Sequence, residues 1–475
     1  MVGQDSVLAE FGDVDLGDVR RNTRLKEIVA SFMISPGSSF PELMRTAAEL
    51  EGFYRFVNND YFTFDDLTAP HARATARRIA EASGDVIVIH DATEYTFPFD
   101  EDLREGCEQI GTESQGFYGS VSLAVAADSQ EPLGVLHAAN WTKSELTFER
   151  PHQKSSPKHK GHGCGRIDGT RWMAFMNGSE QQVADTSKLV HVADREADGF
   201  PLYANLVSAR RRFVIRSNGD RRVGIDGAEE FVRLVEAARR AKPVHTIDVP
   251  LSRRPRSAAT RQHPARESRK AKLAYAAMQI TLKRGYWVDD SLPEFITLNV
   301  VCVREVKPPK GEQPIEWFLA TSEPIDTAAQ VIAIVEYYRA RWKIEEFFRA
   351  LKTGCAFEKR QLESRQALLV VLAMSLVLAW HSMVLRHAAR VRPKARASTA
   401  LPPVFLFVLR ATGRVPLKKE PTVRDALYAV AAMGGHIKNN GAPGLVTLSR
   451  GMERLVERVV SFVLLLQAVG GLAEN

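Results

Sequence analysis

The chain has 475 residues, 45% of them apolar and 25% charged, a length and balance that describe a globular protein of two to four domains rather than a single core. Its 64 Lys and Arg against 57 Asp and Glu leave a formal charge of +7, a mild excess concentrated in clusters. Four cysteines, Cys107, Cys164, Cys302 and Cys355, contain no Cys-x-x-Cys pair, which argues against a zinc ribbon and a disulfide framework and for a reducing cytoplasm.

The opening MVGQDSVLAEFGDVD is acidic and lacks the basic and apolar regions of a signal peptide. Helical spacing follows in RRNTRLKEIVASFM, where Leu25, Ile28, Val29 and Phe32 form a stripe accompanied by Arg20, Arg21, Arg24 and Lys26. HARATARRIAEAS reads as another helix and leads into VIVI, a short buried strand followed by His90 and Asp91. SVSLAVAAD, GVLHAANW, LVHVAD and RRFVIRS read as further strands, and with the helices between them they predict a mixed α/β sheet. The loop PHQKSSPKHKGHGCG brings His152, His159, His162 and Cys164 close in sequence but matches no standard zinc spacing, so it reads as a basic loop.

From about 222 to 325 the alternation in HTIDVPL, MQITLKRG, TLNVVCVREV and EWFLATSE predicts a β-rich insertion of antiparallel strands. Its loop from Arg253 to Lys272 holds eight basic residues against one acid, Glu267. Such runs suit a polyphosphate backbone, because each neutralised phosphate releases counterions. Helical periodicity returns at IDTAAQVIAIVEYYRARWKIEEFFRALKTG and persists to MERLVERVVSFVLLLQAVG. Within it, Ala367 to Trp380 is apolar apart from Ser375 but falls short of about 18 uninterrupted apolar residues, so it reads as a buried helix and no membrane partner is expected.

Hard divalent cations take oxygen ligands, and two-metal phosphoryl transfer needs carboxylates converging from separate elements. Asp91 follows one apolar strand and Asp194 another, so in parallel neighbours both emerge at one sheet edge. Either aspartate alone would more often begin a turn or cap a helix than serve a site. A third carboxylate comes from YRARWKIEEFFRALK. On an uninterrupted helix Tyr338, Arg341, Glu345 and Lys352 fall within roughly a 60° wedge, with Ile344, Phe347 and Leu351 on an adjoining anchoring face. Glu346 points about 80° from Tyr338, so Glu345 is preferred.

Tyr338, Arg341, Glu345 and Lys352 in the pattern Y-x2-R-x3-E-x6-K, together with DREAD (Asp194 to Asp198), resemble the DDE transposases of bacterial insertion sequences, most closely the Tn-five type of the insertion-sequence-four family. LGDVRRNTRL and EGFYRFV are similar to the family's DNA-end-binding region, and IEWFLATSEP and MGGHIKNNGAPG also recur in it. The resemblance implies an RNase H-like catalytic core with a β-rich insertion in an α/β fold. An N-terminal helical DNA-binding domain (1–65) and a C-terminal helical dimerisation domain (366–475) would flank a catalytic domain at 66–365. It implies two Mg2+ ions, replaceable by Mn2+, with Asp91 bridging both and Asp194 and Glu345 holding one each.

The implied reaction is cut-and-paste transposition through a hairpin intermediate, acting on double-stranded DNA as a homodimer, with no small-molecule substrate. Tyr338, Arg341 and Lys352 would hold phosphates and Trp317 would stack on a flipped base. Arg216, Arg349, Arg20, Arg21, Arg24 and Arg55 are further candidate DNA contacts. The family's glutamate-rich segment before Trp172 is absent, leaving only Asp168 in CGRIDGTRW. Two other readings fit parts of the pattern. A nuclease that cuts without joining needs only the carboxylates, and a non-catalytic DNA-binding protein needs only the basic helices.

Overall fold

A computed structural model describes residues 4–34, 36–44, 46–99, 102–145, 169–225, 231–251, 253–254, 265–286, 288–401 and 403–437. Closer to the C-terminus it describes only 443–444, 447–448, 450–452, 454–455, 457–459, 461–462 and 465. The segment carrying His152, His159, His162 and Cys164, and Asp168 after it, lie outside the described residues, as do 255–264 of the basic run and 466–475.

In chain order the elements begin with helices α1 (Gln4–Ala9), α2 (Val19–Ile34), α3 (Phe40–Leu43), α4 (Ala47–Val57) and α5 (Phe64–Glu81). Strands β1 (Val86–Pro98), β2 (Glu108–Gln109), β3 (Ser114–Ala126) and β4 (Pro132–Trp141) follow. Then come α6 (Gly169–Glu180), β5 (Leu189–Ala193), α7 (Phe200–Ser208) and β6 (Phe213–Arg216). The insertion supplies β7 (Arg222–Ile225), β8 (Phe231–Arg233), α8 (Leu234–Arg240), β9 (Pro243–Leu251), β10 (Arg269–Lys283), β11 (Phe295–Glu305) and β12 (Glu316–Thr321). Helices α9 (Ala328–Ala340), α10 (Trp342–Arg349), α11 (Arg365–Val391), α12 (Pro403–Thr412) and α13 (Val423–Met433) follow, and the residues described between 447 and 465 are helical.

These elements gather into two compact units, one of Met1–Ala82, Ala92–Leu146 and Trp342–Asn475, the other of Ser83–Asp91 and Thr147–Arg341. The first is mainly helical. Thr46 starts α4 by accepting from the Glu49 amide, and Thr63 starts α5 in a capping box with Asp66, each satisfying an amide the helix leaves unbonded. Phe32, Phe40 and Phe53 pack with tilted rings to join α2, α3 and α4, the Phe40 and Phe53 centroids 4.4 Å apart. Helix α11 is long and apolar enough to span a membrane by length and composition, yet 78% of its most apolar stretch is buried inside the protein. The indole of Trp380 donates to the Pro132 carbonyl at 3.0 Å, as a buried core helix requires. Leu455 and Val459 pack with Val408, Leu409 and Val430, so part of the C-terminal apolar surface is covered within the chain.

In the second unit, β5 lies parallel to β1 and to β6, with α6 leading into β5 and α7 connecting it to β6. The insertion does not form a separate sheet. β12 pairs antiparallel with β6 through Leu319 opposite Arg216, and the order continues through β11, β10, β7 and β8. An ion-pair cluster fixes the ends of these strands. Arg212 meets Asp85 at 2.6 and 2.8 Å and Glu323 at 2.9 and 2.6 Å, while the Tyr337 hydroxyl donates to Asp85 at 2.7 Å. The Arg212 hydrogen bond, the largest cause, holds the Asp85 carboxyl below its usual range against the opposing effect of burial, with the Tyr337 hydroxyl and the Arg212 charge adding to it.

Candidate active site

Along β1 and β5, Val86 faces Leu189 and Ile89 faces Val192. Two further steps along both strands bring Asp91 opposite Asp194, on neighbours about 4.8 Å apart. Strand β1 does not stop at Asp91 as the sequence suggested. It continues to Pro98, because ATEYTFP supplies β-forming residues that pair with β3, so Asp91 sits where its partner strand ends rather than where it ends itself. Asp194 is the N-cap of a short 3-10 turn, its Oδ1 accepting from the Glu196 amide at 2.8 Å.

Alternation places His90 and His191 on the opposite sheet face from both aspartates. There the His90 Nε2 and His191 Nδ1 share a hydrogen bond of 2.9 Å, and His191 Nε2 meets Glu180 at 3.0 Å. Arg211 closes the series on Glu180 at 2.6 Å. Burial raises the Glu180 carboxyl, but the bonds and charges of His191 and Arg211 outweigh it and hold it below the usual range. A histidine in each of two apolar strands, VIVIH and LVHVA, was the signal for this pair. Asp198, the last residue of DREAD, has a similar supporting place. Its side chain, 1% exposed, accepts from Tyr203 Oη at 2.6 Å, the Asn218 amide at 2.6 Å and Ser217 Oγ at 3.1 Å, and pairs with Arg221. It ties the loop after β6 to the turn after Asp194.

The Arg341 guanidinium lies 3.1 Å from Asp91 Oδ2, both groups largely buried. Arg341 itself is a turn between α9 and α10, its amide bonded to the Tyr338 carbonyl. The uninterrupted helix expected through Lys352 is therefore broken there, and again at Ala350–Gly354, which form a π-helical turn closed by the Cys355 amide on the Ala350 carbonyl. Tyr338 is buried, with its ring edge-on to Trp317 at 5.6 Å. Trp317 is half-buried on β12 with the Arg216 guanidinium 5.8 Å from its ring centre, so the aromatic is partly a packing residue and partly open.

Glu345 and Lys352 belong to the other unit, where Ile344, Phe347 and Leu351 are fully buried and anchor α10. Glu345 is half-buried, Glu346 pairs with Arg386 at 2.9 Å, and Arg349 is exposed. Lys352 is engaged on β1, at 2.5 Å from the Glu94 carbonyl and 2.9 Å from Glu358. In the N-terminal helices Arg20 is exposed, Arg21 lies over the Tyr61 ring at 4.3 Å, and Arg24 and Arg55 make surface pairs with Glu27 and Glu51. Among the described residues no three His, Cys, Asp or Glu side chains are gathered closely enough to cage an ion.

Two families match this chain. The transposase DNA-binding family matches residues 4–62, a span that includes Arg20, Arg21, Arg24 and Arg55. The transposase DDE domain family matches residues 168–380, which include Asp194, Trp317, Tyr338, Arg341, Glu345 and Lys352. Asp91 precedes that span, so its place beside Asp194 rests on the pairing of β1 with β5. DDE domains are RNase H-like in general and use divalent metal ions, generally Mg2+.

Proposed function

Since the chain is a DDE transposase, an enzyme acting on DNA, we propose that it is of the Tn-five type and works by cut and paste, with Asp91, Asp194 and Glu345 as its catalytic carboxylates. In this reading 1–65 bind the element's end, 66–365 form the RNase H-like catalytic domain interrupted by the insertion at about 222–325, and 366–475 carry the dimer contact. The chain order of the long strands β1, β3 and β4, then a helix, a strand, a helix and a strand to β6, with only the two-residue β2 interposed, supports the RNase H-like core. The apolar C-terminal helix supports a dimer on paired ends, though Leu455 and Val459 are already covered within the chain. The protein would act in the bacterial cytoplasm, at the nucleoid.

The observation that carries this reading is the parallel pairing that brings Asp91 opposite Asp194, with a cation, Arg341, already on Asp91. The donor set fits Mg2+, since all three residues offer carboxylate oxygen and Arg341 shows that the Asp91 oxygen takes positive charge. Two bound ions would activate the attacking oxygen and stabilise the leaving one. Arg341, once released from Asp91, can turn to the scissile phosphate with its planar fork of donors. Water attacks the phosphodiester at the element's end and frees a 3′-hydroxyl. That hydroxyl attacks the opposite strand, closing a hairpin and expelling the flanking 3′-oxygen. A second hydrolysis reopens the hairpin, and the same hydroxyl then attacks a target phosphodiester, expelling the target strand's 3′-oxygen. Trp317, with Arg216 beside it, would receive the base displaced as the hairpin closes, its ring replacing lost stacking.

A labelled duplex bearing the terminal repeat of the chain's own element, incubated with Mg2+, tests this. The reading expects a nick at the element boundary and then a hairpin, both missing with Asp194→Ala. DNA that is shifted but never cut would favour the non-catalytic reading. A nick with no hairpin or joining would favour the simple nuclease.

A further inference from the structure

The signature lysine is held by a cage that its sequence pattern does not contain. Lys352 lies in the π-helical turn Ala350–Gly354, and its Nζ donates to the Glu94 carbonyl at 2.5 Å, pairs with Glu358 Oε1 at 2.9 Å and faces the Tyr95 ring at 5.7 Å. Glu358 is itself fixed. Its Oε1 accepts from the Thr96 amide at 3.2 Å and the Thr96 hydroxyl at 3.4 Å. The neighbouring Phe357 is fully buried, edge-on to Tyr95 at 5.1 Å and to Phe97 at 5.7 Å. Ala356 before it adopts φ 48°, ψ 37°, a left-handed conformation that is unfavourable for a residue with a Cβ. Backbone in such a region persists where its surroundings over-determine it, and π turns occur at functional sites more often than elsewhere.

A lysine side chain has four flexible bonds and loses much rotamer freedom when fixed. A group that must meet a phosphate in one geometry works better if that loss is met before DNA arrives. We propose that Glu358, steadied by Thr96, is a positioning residue that presents the Lys352 ammonium to a DNA phosphate. The inference rests on the proposed phosphate role of Lys352 and adds a residue outside the signature to it. Glu358 acts through Lys352 alone and makes no contact with DNA of its own.

The experiment is a double-mutant cycle read as the single-turnover rate of the first nick on the terminal-repeat duplex with Mg2+. Lys352→Ala is expected to slow the nick by about 100-fold, the scale for removing one donor to a developing charge. Glu358→Gln is expected to slow it by about 10-fold, as loss of a supporting partner does. The double variant should be no slower than Lys352→Ala, because a residue acting only through another has nothing left to position. Glu358→Asp, which keeps the charge and shortens its reach, should fall between wild type and Glu358→Gln and serves if that variant folds poorly. A double variant slowed by the product of the two single effects would overturn the inference while leaving the role of Lys352 intact. So would Glu358→Gln cutting as fast as wild type, or faster. Lys352→Ala cutting at the wild-type rate would instead sink the phosphate role itself, and the inference with it.

Discussion

Replacing Glu10 by Gln isolates one buried charge and gives a stability change whose size and pH dependence follow from the geometry. Glu10, 7% exposed, accepts from Arg78 at 2.7 and 3.1 Å and from His71 Nδ1 at 2.6 Å. The Val135 amide donates to His71 Nε2 at 3.0 Å, so that nitrogen is an acceptor and the ring is neutral with its proton on Nδ1. Burial raises the Glu10 carboxyl, but the His71 and Arg78 hydrogen bonds outweigh it and bring it from 4.5 to about 2. Each unit corresponds to about 1.4 kcal/mol, so ionised Glu10 contributes about 3 kcal/mol. A depressed carboxyl stabilises fully above its unfolded value and loses that contribution as pH falls toward its folded value. Glu10→Gln should therefore cost about 3 kcal/mol at pH 7 and about half that at pH 3. Burial also holds His71 below 6.5, against the raising effect of Glu10, so its cost is common to both proteins while the folded ring stays neutral and differs only once the wild-type ring begins to protonate. Urea unfolding followed by tryptophan fluorescence reads the difference, since Trp380 packs on both His71 and Arg78. An unchanged midpoint at pH 7, or a difference that does not shrink between pH 5 and pH 3, would refute the reasoning.

Trp317→Ala should leave the first nick within a few-fold of wild type and slow hairpin closure by about 5- to 150-fold, the range for one lost base stack, with Trp317→Phe retaining most of the rate. Denaturing gels separate the two products, and equal loss of both would remove the stacking role. Arg349→Ala should weaken end binding at all sequences alike and lower the slope of log affinity against log salt by about one, measured by gel shift, because Arg349 is exposed on α10. Arg212→Met strands Asp85 and Glu323 and should lower stability by about 3 kcal/mol at pH 7, seen as a reduced Tm. The cost should shrink in acid, because the depressed Asp85 carboxyl loses its contribution as pH falls below 3.8.

The strands were legible wherever apolar residues run or alternate, as in VIVI, LVHVA and TLNVVCVREV, because burial on one or both faces imposes that pattern. Asp91 and Asp194 could be found for the same reason, each following such a run. The course of β1 past Asp91 could not, since it depends on pairing with β3 rather than on local pattern. Nor could the breaks at Arg341 and at Ala350–Gly354, where backbone bonding shifts by one residue inside a segment of unbroken helical composition. The pairing of Lys352 with Glu358, and of Glu10 with His71 and Arg78, depends on folded geometry that composition does not encode.

The central claim is that Asp91, Asp194 and Glu345 perform the chemistry, and the neighbouring pair of glutamates offers the sharpest test. Nicking of the terminal-repeat duplex should be measured for Glu345→Ala beside Glu346→Ala across a range of Mg2+ concentrations. The account predicts that Glu345→Ala abolishes cleavage at every concentration while still binding DNA, and that Glu346→Ala, which loses its pair with Arg386, cuts within a few-fold of wild type. Cleavage that survives Glu345→Ala and disappears with Glu346→Ala would contradict it.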